Sequence, residues 1–93
     1  MSRHAERLRI DGRVQGVGYR WWAVDRAAAL GLQGWVRNRR DGSVELLAIG
    51  ERDAVATLAR LCRDGPSGAA VRSVTSEPAA DDGSRGFTQR ATE

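Results

Sequence analysis

Polar and apolar positions alternate strictly near the start of the chain. Leu8, Ile10, Gly12 and Val14 take one set of positions, and Arg7, Arg9, Asp11 and Arg13 take the other. This period of two predicts a strand over roughly Glu6–Arg13. The period then changes. An alanine-rich stretch from about Arg20 to Leu30, ended by Gly31, predicts a helix. Its core face has two candidates: Ala23, Ala27 and Leu30, or Trp21, Val24 and Ala28. The first, flanked by Trp22, is favoured because it holds the leucine and leads straight into the next strand. That choice places Trp21 near the rim of the preceding loop.

Two β-rich runs follow, about Gln33–Arg39 and Ser43–Ile49, with Asp41-Gly42 between them. Asp-Gly between such runs is a strong hairpin signal. A second helix over about Arg52–Arg63 carries Val55, Leu58, Leu61 and Cys62 on one face, and Gly65 and Pro66 stop it. A fourth strand near Ala70–Glu77 has Val71 and Val74 out of alternation, which predicts a bulge or a twisted edge. After a linker from Pro78 to Gly86, a short last strand is expected near Phe87–Ala91. The order β-α-β-β-α-β predicts an α+β, ferredoxin-like sandwich, an antiparallel sheet with two helices on one face.

At 93 residues the chain is read as one domain, 1–93, with a core over about 6–91. It has no apolar run long enough to span a bilayer, and its polar start lacks a secretory segment, so no membrane partner is expected. A single cysteine, Cys62, cannot form an internal disulfide and fits a reducing, cytoplasmic setting. All 15 basic residues are arginine, and the net charge is +3. That charge favours an anionic substrate but is too small and too evenly spread to imply nucleic acid. His4, placed in a loose terminus, and Cys62, on an apolar helix face, cannot together build a zinc site. No Ser-His-Asp constellation is available either. Neither a metal nor a cofactor is expected.

The candidate chemistry lies in Gly12–Arg20, where the first strand runs into a loop carrying Gly16 and Gly18 and an arginine follows at the helix start. Glycines let backbone amides approach a ligand closely. A helix start leaves N–H groups unpaired and partially positive. Arg20 adds a charged, planar fork that matches phosphate oxygens. The combination is an anion cradle that best fits a phosphoryl group.

With the cradle and the hairpin placed, the chain resembles the acylphosphatase family. The first family motif, Gly-x-Val-Gln-Gly-Val-x-aromatic-Arg, is matched by Gly12 to Arg20, with Tyr19 where phenylalanine is more usual. The second is matched by Gly34-Trp35-Val36-Arg37-Asn38 and Asp41-Gly42-Ser43-Val44-Glu45. Ala27, Leu30, Gly31 and Leu32 between them, and Gly65-Pro66 later, also agree. The end departs: Gln89 stands where an apolar strand residue is expected. The resemblance implies hydrolysis of the carboxyl–phosphate anhydride of a small-molecule acyl phosphate, giving a carboxylate and inorganic phosphate. It gives Arg20 the phosphate-binding role and Asn38 that of orienting the attacking water. The loop amides of Gln15, Gly16, Val17, Gly18 and Tyr19 complete the phosphate site, and a monomer is expected.

Duller readings stand beside these. Arg20 could be a surface helix residue, and Asn38 could simply shape the turn. Gly12 and Gly34 read as packing glycines, and Trp22 and Trp35 as core or sheet-face residues. The role of Trp21, and of Arg37, Arg39 and Arg40 near the site, is open. A nucleic-acid-binding module of the same element order is a rival, but the strand from Val44 to Ile49 lacks the stacking aromatic of RNA-recognition domains. A regulatory acylphosphatase-like module, of the kind attached to enzymes handling carbamoyl groups, is the other.

Overall fold

The computed structural model describes residues 3–93. Its elements are β1 (His4–Arg13), α1 (Tyr19–Ala29), β2 (Gln33–Asn38), β3 (Val44–Gly50), α2 (Arg52–Cys62), β4 (Ala70–Pro78) and β5 (Phe87–Gln89). The strands form one sheet in the order β4-β1-β3-β2-β5. Both helices pack on one face. Tyr19, Ala23 and Ala27 of α1 and Val55, Leu58 and Cys62 of α2 share a buried cluster with Leu8, Ile10, Val36, Val44 and Leu46 of the sheet. Burial of these apolar side chains is the main force holding helices to sheet. Among the described residues no helix is long and apolar enough to cross a membrane.

The alternating pattern of β1 is realised: Leu8 and Ile10 are fully buried, while Arg7 and Arg9 lie on the other face. The favoured face of α1 is also the buried one, although its anchor is Tyr19, with Leu30 only half-buried. The irregular spacing of Val71 and Val74 marks a bulge. Asp11 pairs with Ser73 and Gly12 with Val71, so Arg72 is skipped. Gly12 makes the shift possible, since a Cβ there would lie 2.3 Å from the Ala70 carbonyl oxygen.

Two expectations are corrected. The sheet is not wholly antiparallel, because β5 adds to the edge beside β2 and runs parallel to it, Gly34 with Phe87 and Val36 with Gln89. Phe87, buried against the helix-side core, holds it there. His4 is not in a loose terminus: it opens β1 opposite Gly50, and its ring Nε2 sits 2.6 Å from the Glu6 carboxylate.

Among the described residues the face of the sheet away from the helices has no third layer: Ala5, Trp35, Leu47 and Ile49 form a small buried apolar cluster there, and charged side chains spread over the rest. Glu45 on β3 lies in register between Arg9 on β1 and Arg37 on β2. Its carboxylate accepts from Arg37 at 2.7 Å and from Arg39 at 3.2 Å. Arg7 donates to Glu77, and Arg9 reaches Asp11 and Asp41. Trp35, buried on this face, has the guanidinium carbons of Arg37 and Arg90 each 4.8 Å from its ring centroid and donates its indole N–H to Asp82. Cation–π attraction favours both guanidinium groups over the ring.

Candidate functional site

The loop from Val14 to Gly18 carries the chain from the end of β1 to the start of α1. Gly16 (φ 74°) and Gly18 (φ 81°) both take left-handed backbone conformations that other residues adopt only under strain. Gly18 occupies the N-cap of α1, and no side chain caps the helix there. The first intrahelical bond runs from the Trp22 N–H to the Gly18 carbonyl at 3.0 Å. The amides of Tyr19, Arg20 and Trp21 are therefore left without an acceptor in the helix. No acidic residue occupies the first turn, so the positive end of the helix is open to an outside anion.

A pocket of about 140 Å³ opens here, lined by Val14, Gly16, Gly18, Tyr19, Arg20, Trp21, Asn38 and Gln89. It joins the two residues expected to carry chemistry, although they lie 18 positions apart in two separate motifs. Arg20 sits in the first turn of α1 and Asn38 at the end of β2, which runs antiparallel to that helix across the sheet. Arg20 forms no ion pair among the described residues. Its charge is left for a ligand.

Gln15 and Val17 do not line the pocket. The Gln15 carboxamide instead donates to the carbonyls of Arg39 at 2.7 Å and Ser43 at 2.8 Å, tying the cradle loop to the turn that follows Asn38. That turn is stiffened from within, since the Ser43 N–H and hydroxyl both donate to Asp41. The two bonds from Ser43, with Arg9 nearby, hold the Asp41 carboxyl down at about 2. Val17 packs on the core. The two loops that carry Arg20 and Asn38 are thus tied together by two hydrogen bonds from one side chain.

Tyr19 has a second role that its place in the motif does not announce. Its ring is only 2% exposed, lies 5.2 Å from the Trp22 ring, and its hydroxyl donates to the Cys62 carbonyl at 2.7 Å. Cys62 is the last residue of α2, so the phenol satisfies a carbonyl the helix cannot pair itself. Burial pushes the Tyr19 hydroxyl far above its ordinary range, and it stays neutral. Burial also raises the Cys62 thiol to about 11. Trp21 stands at the rim, 69% exposed.

His4 lies at the far end of β1, on the order of 30 Å from the cradle at ~3.3 Å per residue. Among the described residues no group of three or more His, Cys, Asp or Glu side chains could hold a metal ion. A larger groove of about 330 Å³ lies elsewhere, lined by Arg7, Arg9, Arg39, Glu45 and Glu77 among others. Size does not make it the better site. Its arginines already face carboxylates, so an incoming anion would have to displace them. One lining residue of the smaller pocket was not expected from sequence: Gln89, whose departure from the apolar pattern was the available signal.

Known proteins resemble this chain in sequence and in fold. A family model described as Acylphosphatase matches residues 6–89. An acylphosphatase of Bradyrhizobium diazoefficiens is 57% identical over 82 residues, 88% of this chain and 83% of that protein. One from Rhizorhabdus wittichii is 47% identical over 91 residues, 98% of this chain and 92% of the relative. The solved structure of an acylphosphatase from Coxiella burnetii superposes with a TM-score of 0.91 at 36% identity, covering 95% of this chain and 93% of the other. With nearly the whole length matched in sequence and in fold, the chain belongs to the acylphosphatase family.

Proposed function

We propose that acyl phosphate hydrolysis, the activity of this family, is carried here by Arg20, the amides of the Gln15–Tyr19 loop and Asn38. The observation that supports this most is the shared pocket, in which an arginine free of carboxylates faces a carboxamide across a helix start with no side-chain cap. Phosphoryl transfer needs mainly positioning and charge stabilisation, because its charge is spread over three equatorial oxygens. Arg20 and the loop amides supply both. Asn38 holds the water but cannot act as a strong base. That is sufficient for this substrate, since a carboxylate leaves readily without a general acid.

In the proposed step the water oxygen bonds to phosphorus while the bond from phosphorus to the acyl oxygen breaks. The electron pair leaves on the carboxylate. One water proton stays on the new P–OH and the other passes to a phosphoryl oxygen, so an acyl phosphate dianion gives a carboxylate and dihydrogen phosphate. Neither a guanidinium nor a carboxamide titrates between about pH 5 and 8. Turnover is therefore expected to be flat in that window once the substrate's own ionisation is divided out.

The reading includes a monomeric cytoplasmic enzyme. It is supported by a site drawn wholly from one chain and by Cys62 as a buried free thiol. Nucleic-acid binding has less support: the arginines of the open sheet face are engaged by Glu45, Glu77, Asp11, Asp41 and Asp82. The direct experiment is inhibition of benzoyl phosphate turnover by inorganic phosphate. Competitive inhibition that survives EDTA is expected; noncompetitive inhibition would place the phosphate site elsewhere.

A further inference from the structure

Gln89 ends β5 and belongs to the pocket of Arg20 and Asn38. Three observations bear on it. Parallel pairing sets Gln89 beside Val36, two residues before Asn38 on the neighbouring strand. Side chains at such offsets lie diagonally adjacent on one sheet face, about 7–8 Å apart at their bases and within reach for long side chains. Secondly, Phe87, two residues earlier and therefore on the same face, is buried in the core, whereas Gln89 is exposed and opens onto the pocket. An apolar residue is the ordinary choice at that position, so the carboxamide does not serve packing. Thirdly, its side chain makes no hydrogen bond among the described residues.

The backbone around it is nevertheless fixed. The Arg90 N–H donates to the Val36 carbonyl at 2.8 Å, and the Glu93 N–H donates to the Asn38 carbonyl at 3.1 Å. The chain beyond β5 thus runs along the end of β2 and past Asn38 itself. A free carboxamide is held beside another in a phosphate-binding pocket.

We infer that Gln89 is a second water-positioning residue, sharing the nucleophile with Asn38; the inference rests on the role proposed for Asn38. A water molecule attacking phosphorus must direct one lone pair at it and place two hydrogens elsewhere. A single carboxamide oxygen fixes one of these. The Oδ1 of Asn38 and the Oε1 of Gln89 together accept both, and fixing both hydrogens fixes the directions of the two lone pairs, one of which is aimed at phosphorus. In a loose transition state little bond to the nucleophile has formed, so the water keeps both protons while these contacts act. The later transfer to a phosphoryl oxygen is unchanged.

Gln89→Leu, Gln89→Glu and Asn38→Ala, each checked for folding by circular dichroism, test this. For Gln89→Leu, kcat should fall about five-fold, the scale of one lost hydrogen bond, with inhibition by inorganic phosphate unchanged. Gln89→Glu puts a titrating oxygen where the neutral one stood. Its kcat should gain a limb in the ordinary carboxylate range, near pH ~4–5, relative to the parent. Parent-like kcat in Gln89→Leu overturns the inference, and so do superimposable pH profiles for parent and Gln89→Glu. Failure of the underlying reading looks different: kcat would then be indifferent to Asn38→Ala.

Discussion

Arg20 and Arg37 are two half-buried arginines on opposite sides of the molecule, and their surroundings differ in one respect. Arg37 lies on the open face of the sheet, its side chain 16% exposed, with Glu45 at 2.7 Å and the Trp35 ring beneath it. Arg20 lies at a helix start with amides and a carboxamide around it and no carboxylate. Both are desolvated in part, which costs free energy unless the charge is answered. On the open face the answer is supplied within the fold, and the arginine serves structure. In the cradle it is left to a ligand. A basic residue in a cleft is therefore informative through what it lacks, and a large groove lined by paired charges is a weaker candidate than a small one holding a lone guanidinium.

The comparison breaks most directly at Arg20. Arg20→Lys keeps the charge and loses the fork, and removal of a preorganised stabiliser costs ~10²–10³ in rate. Steady-state kinetics with benzoyl phosphate should show that loss with the fold intact, while Arg37→Lys keeps activity within about two-fold. Similar losses for both would erase the distinction. Asn38→Ala comes next, with a fall in kcat of up to about 100-fold, because displaced reacting groups act in the transition state more than in binding. Inhibition by phosphate should barely change; if it collapses, Asn38 belongs to the cradle.

Glu45→Gln tests the other region. It removes the charge that Arg37 and Arg39 share and leaves partly buried guanidinium groups less well answered. Chemical denaturation should show a loss of about 1–3 kcal/mol, with activity per folded molecule unchanged.

A further effect on stability appears only at high pH. An unfolded Cys62 thiol ionises near 9 and the folded one at about 11, so the unfolded state gives up its proton first as pH rises. The stabilisation from a neutral buried thiol is complete below pH 9 and is lost through pH 11, up to about 2–3 kcal/mol. Melting temperatures followed from pH 8 to 11 should fall less steeply in Cys62→Ala. A residual fall above pH 10 belongs to Tyr19. Equal slopes for parent and variant would remove Cys62 from the account.

What could be read from the sequence was what is local. The alternation of β1, the Asp41-Gly42 turn and the glycine spacing before Arg20 depend on residues within a few positions of one another, and each took the expected form. The skipped residue opposite Gly12 was visible as broken alternation. Alanine suits either side of a helix, so the face of α1 rested on weak grounds, and the role of Tyr19 as anchor came from its contact with Cys62, 43 positions away. Gln89 shows the same limit. Its polarity was legible, but its place beside Asn38 follows from a parallel pairing between β2 and β5 that no neighbouring residue encodes. His4 was misplaced because a polar start gives no sign that Gly50 will pair with it.

The sheet order also has a consequence in time. Among the described strands only β2 and β3 are joined by a short turn. β1 must wait for partners well downstream, Ile10 for Val44 and Glu6 for Pro78. Distant pairings carry a loop-closure cost before any contact repays it, and chains built this way fold more slowly than helical bundles, whose contacts are local. The hairpin closes the shortest loop, while the cradle needs the end of β1, the start of α1 and the end of β2 together. Catalytic competence in such a chain is a property of the finished sheet, and a partly folded molecule has a hairpin but no active site.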